Sequence, residues 1–240
     1  MRILCIADDM DRLVYSQHIK DNFADVDAVI SAGDLSLRYY EFIVSSLNKP
    51  LFFVFGNHNL QEFDALVKAS GSSLGHMSEY TAPAPSPSIF CGGELVDGKV
   101  LRDKRTGLII VGLGGSYNYN NGKHQYTDHQ MMSRIFKMVP KLLYNKLRYG
   151  RYLDILVTHA PPLGFNDEID RCHRGFSAFL TFMDWFKPKY LLHGHVHLTD
   201  SNARRVVYYK RTKIINIYKS YILDDDTIGK KRRETGKGKS

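Results

Sequence analysis

The chain is short of several things, and each shortage removes a class of protein. No stretch approaches the ~18 consecutive apolar residues that a membrane-spanning helix needs. Cysteines are few: Cys5, Cys91 and Cys172 stand far apart, odd in number and without close pairs. That argues against a disulfide framework and against a cysteine-rich zinc site. The opening Met1-Arg2-Ile3-Leu4 runs directly into a strand-like stretch, without the charged, apolar and small-residue succession of a secretory signal. A reducing, cytoplasmic setting is therefore expected. No repeat of solenoid length is present.

What remains is ordinary in bulk: 240 residues, 43% hydrophobic and 24% charged, the profile of a globular protein. The net charge of +8 is unevenly spread. Residues 227–240 hold six basic residues and one acid, so five of the eight net positive charges sit in the last fourteen residues. The expected organisation is a single domain over 1–223, followed by a basic tail over 224–240 whose composition predicts disorder. Such a tail could touch nucleic acid or a membrane surface, although plain solvation is its commonest fate.

Along the chain, apolar strand-like runs alternate with helical patterns. Residues 2–7, 27–31, 51–55, 153–157 and 189–192 read as buried strands. Residues 12–23, 36–47, 128–149 (broken at Pro140) and 176–186 read as helices. Shorter strand-like runs at 89–91, 94–101 and 108–113 suggest a second sheet, and 205–209 with 213–217 a closing hairpin. In α/β sheets of this kind, functional groups gather where strands end. Five strand ends here carry chemistry: Asp8, Gly33-Asp34, Gly56-Asn57-His58, Thr158-His159 and Gly194-His195-Val196-His197. His195 and His197 lie two apart, so in extended backbone their imidazoles face one way, as two metal ligands would. His193, the first histidine of that stretch, reads as structural.

A pair of divalent ions explains all five strand ends together. Their order and spacing resemble the calcineurin-like metallophosphoesterase superfamily, whose signature runs Asp-x-His, Gly-Asp, Gly-Asn-His-Asp/Glu, His, Gly-His-x-His. The resemblance covers roughly residues 1–220, and His159-Ala160-Pro161-Pro162 is similar to a phosphohydrolase branch of that family. It implies a four-layer α/β/β/α sandwich with the site at one edge. It also implies roles: Asp34 bridging two metals; Asn57, His159 and His195 completing the second; Asp8 and His197 holding the first. His58 would stand beside the phosphoryl group and stabilise charge or protonate the leaving oxygen rather than bind metal. Two cations generate hydroxide from a bridging water and neutralise phosphate oxygens. Mixed Asp, Asn and His donors suit manganese, iron, zinc, cobalt or nickel better than calcium.

Two positions depart from the pattern. Met10 stands where Asp-x-His has histidine, and a thioether is a soft, poor ligand for a hard ion. The first site is thus one ligand short unless a turn brings Asp9 or Asp11 inward. Asn59 replaces the usual carboxylate after His58. The leading expectation is a metal-dependent phosphoesterase acting on a soluble phosphate mono- or diester. The alternatives are a non-catalytic or single-metal interaction module on the same fold and, ranked last, a nuclease. Substrate contacts would come from the loops at 70–88, 114–127 and 163–175, with Arg12, Tyr117, Tyr119, His173 and Arg174 as candidates.

Overall fold

The protein is described by a computed structural model, which covers residues 1–58, 91–198 and 203–229. The expected loop at 70–88, the strand at 89–91 apart from Cys91, and Asn59 lie outside the described residues, as does 230–240.

Two sheets carry the fold. The first contains β1 (Arg2–Ala7), β2 (Ala28–Ser31), β3 (Leu51–Phe53), β4 (Glu94–Leu95) and β13 (Lys219–Asp224), in the order β13-β1-β2-β3-β4. The second contains β5 (Val100–Arg102), β6 (Ile109–Leu113), β9 (Ile155–Thr158), β10 (Tyr190–His193), β11 (Val206–Tyr209) and β12 (Thr212–Asn216), in the order β11-β12-β10-β9-β6-β5. β7 (Ser116–Tyr117) and β8 (Gln125–Tyr126) form a small parallel pair. The helices α1 (Ile19–Phe23) and α2 (Leu37–Leu47) cover the first sheet, and α3 (Asp128–Tyr149) and α4 (Ser177–Phe186) the second.

Side-chain alternation along each strand builds the layers. In β1, Ile3, Cys5 and Ala7 enter the core between the sheets, while Leu4 and Ile6 meet the helices. In β9 and β10, Ile155, Val157 and Leu192 face the first sheet, and Leu156 and Leu191 face α3 and α4. Both faces of the central strands are therefore covered, and their sequences read as continuous apolar runs for that reason. The expected four-layer α/β/β/α arrangement is what these clusters form.

Three local expectations change. Residues 12–18 are turns rather than helix, because the Asp11 carboxylate takes the Leu13 amide and the Asp11 carbonyl takes those of Val14 and Tyr15. α3 runs unbroken through Pro140. Pro140 sits on the exposed face, where water can serve the carbonyl it leaves without a helical donor. A capping box between Thr127 and Gln130 starts that helix, and Gly150, in left-handed backbone, ends it. Finally, β13 is an additional strand, paired antiparallel along the whole of β1 from Arg2↔Asp224 to Ala7↔Lys219.

The body also extends past 224. The Asp225 carboxylate lies 2.6 Å from Lys189 Nζ and accepts from the Tyr190 hydroxyl, while Ile228 is buried. Gly229 closes against Met1, Thr106 and Arg151. Burying one isoleucine is worth about 1.5–3 kcal/mol. A chain ending at Gly229 is thus expected to unfold in urea at the same midpoint as the full chain. One ending at Asp224 should lose about 2 kcal/mol or more.

Candidate metal centre

The strand exits of both sheets converge on one point. Asp8 follows β1, Asp34 follows β2, and Gly56, Asn57 and His58 follow β3; His159 and His195 follow β9 and β10 of the facing sheet. The backbone there is unusual. Asp8, Asp34 and His195 all have positive φ, at 67°, 55° and 66°. Non-glycine residues seldom adopt that region, and such strain gathers at functional sites. Asp8 and His195 each centre a three-residue γ-turn, closed by Asp9 N–H to the Ala7 carbonyl (2.7 Å) and Val196 N–H to the Gly194 carbonyl (2.8 Å). The turns swing the side chains off the sheet axis into the gap between the sheets.

Close approach requires two glycines. A Cβ on Gly56 would overlap the Asp34 carboxylate and come within 2.6 Å of His159 Cε1. A Cβ on Gly194 would lie 2.5 Å from Asp8 Oδ2. With those glycines in place, the His195 amide donates to Asp8 (3.0 Å to either oxygen) and the His58 amide donates to Asp34 Oδ1 (3.0 Å).

The imidazoles are oriented by backbone carbonyls. His159 Nδ1 lies 2.8 Å from the Ala32 carbonyl, an arrangement in which it donates and turns Nε2 toward Asn57 Oδ1 (3.1 Å) and Asp34 Oδ2 (3.3 Å). His195 Nε2 lies 2.8 Å from the Cys172 carbonyl, so that Nδ1 is the nitrogen left for a ligand. Such outer hydrogen bonds commonly fix metal-binding histidines. Asp8, Asp34 and His159 bring one donor atom each within 4.8 Å of one another, a group that could hold a metal ion.

The electrostatics describe a site built for a cation. Burial raises the Asp8 carboxyl to about 6, against the pull of His159 and the His195 amide. Burial would raise Asp34 too, but His159, the His58 amide and His58 hold it below the usual carboxylate range. For His159, burial opposes charging, yet Asp34 and Asp8 lift it to about 9. Burial and the neighbouring His159 push His195 down to about 3. His193, fully buried and pushed down to about 4 by burial, contacts the Gly194 carbonyl and Asn166 instead.

The remaining expected residues are placed as follows. His197 is exposed and stacks on Tyr218, with centroids 4.9 Å apart, within electrostatic reach of Asp8. Met10 is half-exposed. Neither neighbouring acid replaces it: Asp9 faces Lys219 (3.5 Å), and Asp11 is engaged by the Ser220 hydroxyl and the Leu13 amide. His173 packs its ring against His195 (5.2 Å) and bonds Asp170 (2.9 Å). Arg174 lies over the Tyr117 ring at 4.6 Å, and Tyr117 packs on Phe176. Arg12 lines a depression of about 410 Å³ with Asp9, Met10, Asp11 and Lys219, apart from the donor cluster. Two contributors had no sequence signal, the Cys172 carbonyl and the Tyr218 ring. Tyr119, a candidate substrate contact in the sequence, accepts a hydrogen bond from Asn57 Nδ2 at its hydroxyl (3.3 Å).

A four-layer sandwich with Asp, Asn and His donors at facing strand exits defines a metal-binding hydrolase architecture. The chain belongs to the calcineurin-like phosphoesterase family, whose sequence profile matches residues 1–198. Family members bind divalent metals and hydrolyse phosphate esters. The chain is 24% identical over 210 residues to the UPF0046 protein K07C11.7 of Caenorhabditis elegans, a match taking in 82% of this chain and 63% of that protein. The crystal structure of TT1561 from Thermus thermophilus shares the fold, at 14% identity and a TM-score of 0.56, covering 90% of this chain and 88% of that one. A second solved structure superposes with a TM-score of 0.60 at 14% identity, over 93% of this chain and 94% of its own. Among the described residues, no helix is long and apolar enough to cross a membrane.

Two outcomes follow from this geometry. Gly56→Ala should fold yet lose metal binding by more than tenfold in calorimetric titration, because its methyl group occupies the space of the Asp34 oxygen. Metal binding should also release protons. Between pH 6 and 9 the metal-free protein carries the His159 proton, and below about 6 the Asp8 proton as well. Affinity is therefore expected to rise with pH, by about tenfold per unit between 6 and 9 and more steeply below 6. Titrations in buffers of different ionisation heat count the protons.

Proposed function

We propose that this chain is a metal-dependent phosphoesterase that hydrolyses a soluble phosphate mono- or diester. The observation that carries the reading is the buried Asp8–Asp34–His159 group, with the His159 and His195 nitrogens aimed by the Ala32 and Cys172 carbonyls. Asp34, Asn57, His159 Nε2 and His195 Nδ1 would hold one divalent ion, and Asp8, Asp34 and His197 a second. Manganese, iron, zinc, cobalt and nickel all suit these donors. When bound, such a pair of ions supplies hydroxide near neutral pH and neutralises phosphate oxygens.

The protein's own groups do the rest. The His58 amide is tied to Asp34, which leaves its exposed imidazole at the mouth of the same cleft, where it donates a proton to the leaving oxygen. Tyr119 orients Asn57, and the Cys172 carbonyl holds His195. His173 lines the rim against His195, and Arg174, stacked on Tyr117 in the adjoining loops, would be a further substrate contact. Arg12, in the separate depression on the Met10 side, would reach only a substrate that extends that far.

One observation favours a second reading, a single-metal or non-catalytic module: Met10 supplies no hard ligand, and Asp9 and Asp11 are engaged elsewhere. A nuclease ranks lower. Gly229, where the basic segment begins, packs on Met1 at the start of β1, roughly 20 Å from Asp8 at its end.

Hydrolysis of aryl phosphate mono- and diesters with each metal tests the proposal. His58→Ala should lower kcat by about 10²–10⁴-fold with metal content unchanged, whereas Asp34→Ala should lose both metal and activity. Met10→His should tighten the second equivalent of metal by roughly tenfold. Absence of turnover with every metal, at one ion per chain, decides for the binding module.

A further inference from the structure

The outer layer of the second sheet carries a surface that the metal centre does not use. α3 is amphipathic on its inner side, where Met131, Ile135, Met138 and Leu142 are buried. Its outer side is apolar as well. Phe136, Pro140, Leu143 and Leu147 follow at i, i+4, i+7 and i+11, one stripe on the exposed face. Phe136, Leu143, Tyr144 and Leu147, with Trp185 of α4, are between 43% and 89% exposed. They account for half of the large apolar side chains exposed among the described residues. The Phe136 and Trp185 rings, 5.7 Å apart, join the two helices into one patch.

Along α3 itself, past Asp128, the charge has one sign. From residue 129 to residue 153 there are six basic residues and no acid. Arg134 and Arg151 are paired with Asp97 and Asp154. Lys137, Lys141 and Arg148 flank the apolar stripe on one side and Lys146 on the other, all exposed. The described chain ends near the C-terminal end of α3, against Met1 and Thr106. The Gly229 carbonyl lies 3.5 Å from Arg151, one residue past the helix cap Gly150. The sequence beyond it, 230–240, holds six basic residues and one acid.

We propose that the outer face of α3 and α4 docks the protein on an anionic lipid surface. An apolar ridge edged by lysines and carrying Trp and Tyr matches the headgroup boundary of a bilayer. There the ridge enters the acyl region and the ammonium groups reach out to lipid phosphates. The exposed Lys137, Lys141, Lys146 and Arg148 supply the electrostatic signal that adds to the buried apolar area in attaching a non-spanning protein. Nucleic acid would satisfy the charge and leave the leucines and Phe136 in water. The donors of the metal centre lie between the strand exits of the two sheets, so docking through the outer helical layer leaves the cleft open.

Flotation of the full chain with vesicles tests this, comparing phosphatidylcholine alone with phosphatidylcholine containing about 30 mol% phosphatidylserine. Trp185 is the single tryptophan, so its emission reports on the patch directly. Binding is expected only to the anionic vesicles, weakening with salt, with a blue shift of Trp185 emission. The F136S/L147S variant replaces exposed side chains only, and its thermal midpoint should match the parent while its vesicle binding falls by tenfold or more. Lys137→Gln and Lys141→Gln should weaken binding by roughly fivefold per charge removed. Equal or absent binding to the two vesicle types overturns the proposal. So does F136S/L147S binding like the parent. A dimer in light scattering that these substitutions disperse would assign the face to a second copy. Retention on duplex DNA that they leave unchanged, without vesicle binding, would assign it to nucleic acid.

Discussion

Two carboxylates buried at the junction of two sheets are the constraint around which this structure is arranged. Asp8 and Asp34 sit where water cannot fully solvate them, and burial lifts the Asp8 carboxyl to about 6. In the metal-free protein the compensating charge is a proton on His159, lifted to about 9 by the same two acids. The pocket thus favours positive charge held among Asp8, Asp34 and His159. The γ-turns at Asp8 and His195, and the bare backbone of Gly56 and Gly194, are local concessions that let these groups meet.

The layered core decides whether they meet. Asp8, Asp34 and Asn57 come from one sheet, His159 and His195 from the other. Their separation is set by the apolar layer between, from Ile3 and Ile30 on one side to Val157 and Leu192 on the other. A close-packed interior transmits small displacements, so the donor spacing is a property of that core as much as of the ligands. The asymmetry of the site follows from the same geometry. The His159–His195 side is enclosed and braced by the Ala32 and Cys172 carbonyls. On the His197 side, among the described residues, a stacked Tyr218 ring and a half-exposed Met10 stand instead. Pairing of β13 with β1 brings Ser220 and Lys219 against Asp11 and Asp9, and so withdraws the two acids that could have replaced the missing histidine.

The opposite side of the second sheet faces different demands. Its helices bury one stripe each, as any covering layer must, yet α3 keeps a second apolar stripe in solvent with lysines along both edges. Exposed apolar side chains that are scattered singly need no explanation, whereas a contiguous ridge does. The proposed lipid contact and the proposed phosphoesterase site would then occupy separate surfaces of one small domain.

Much of this was legible in the sequence. The strand runs, the strand-end donors and the α/β layering are local patterns, visible because a strand covered on both faces must be apolar throughout and must end where polar chemistry begins. The helix over 36–47 and the bounds of α3 were legible for the same reason. Other features depend on residues far apart in the chain. β13 was missed because Lys-Ser-Tyr-Ile-Leu-Asp alternates only weakly; pairing with β1, more than 200 residues away, makes it a strand. Pro140 predicted a break that its place on the solvent face makes unnecessary. Asp225 and Ile228 looked like tail until Lys189, Tyr190 and the N-terminus closed on them. The sequence by itself determined which side chains are available to hold a cation and at which strand ends they stand. Only the tertiary structure decided which nitrogen of each imidazole faces inward and which nearby acids are occupied elsewhere. Those depend on carbonyls, hydroxyls and lysines that packing delivers, and no local pattern encodes them.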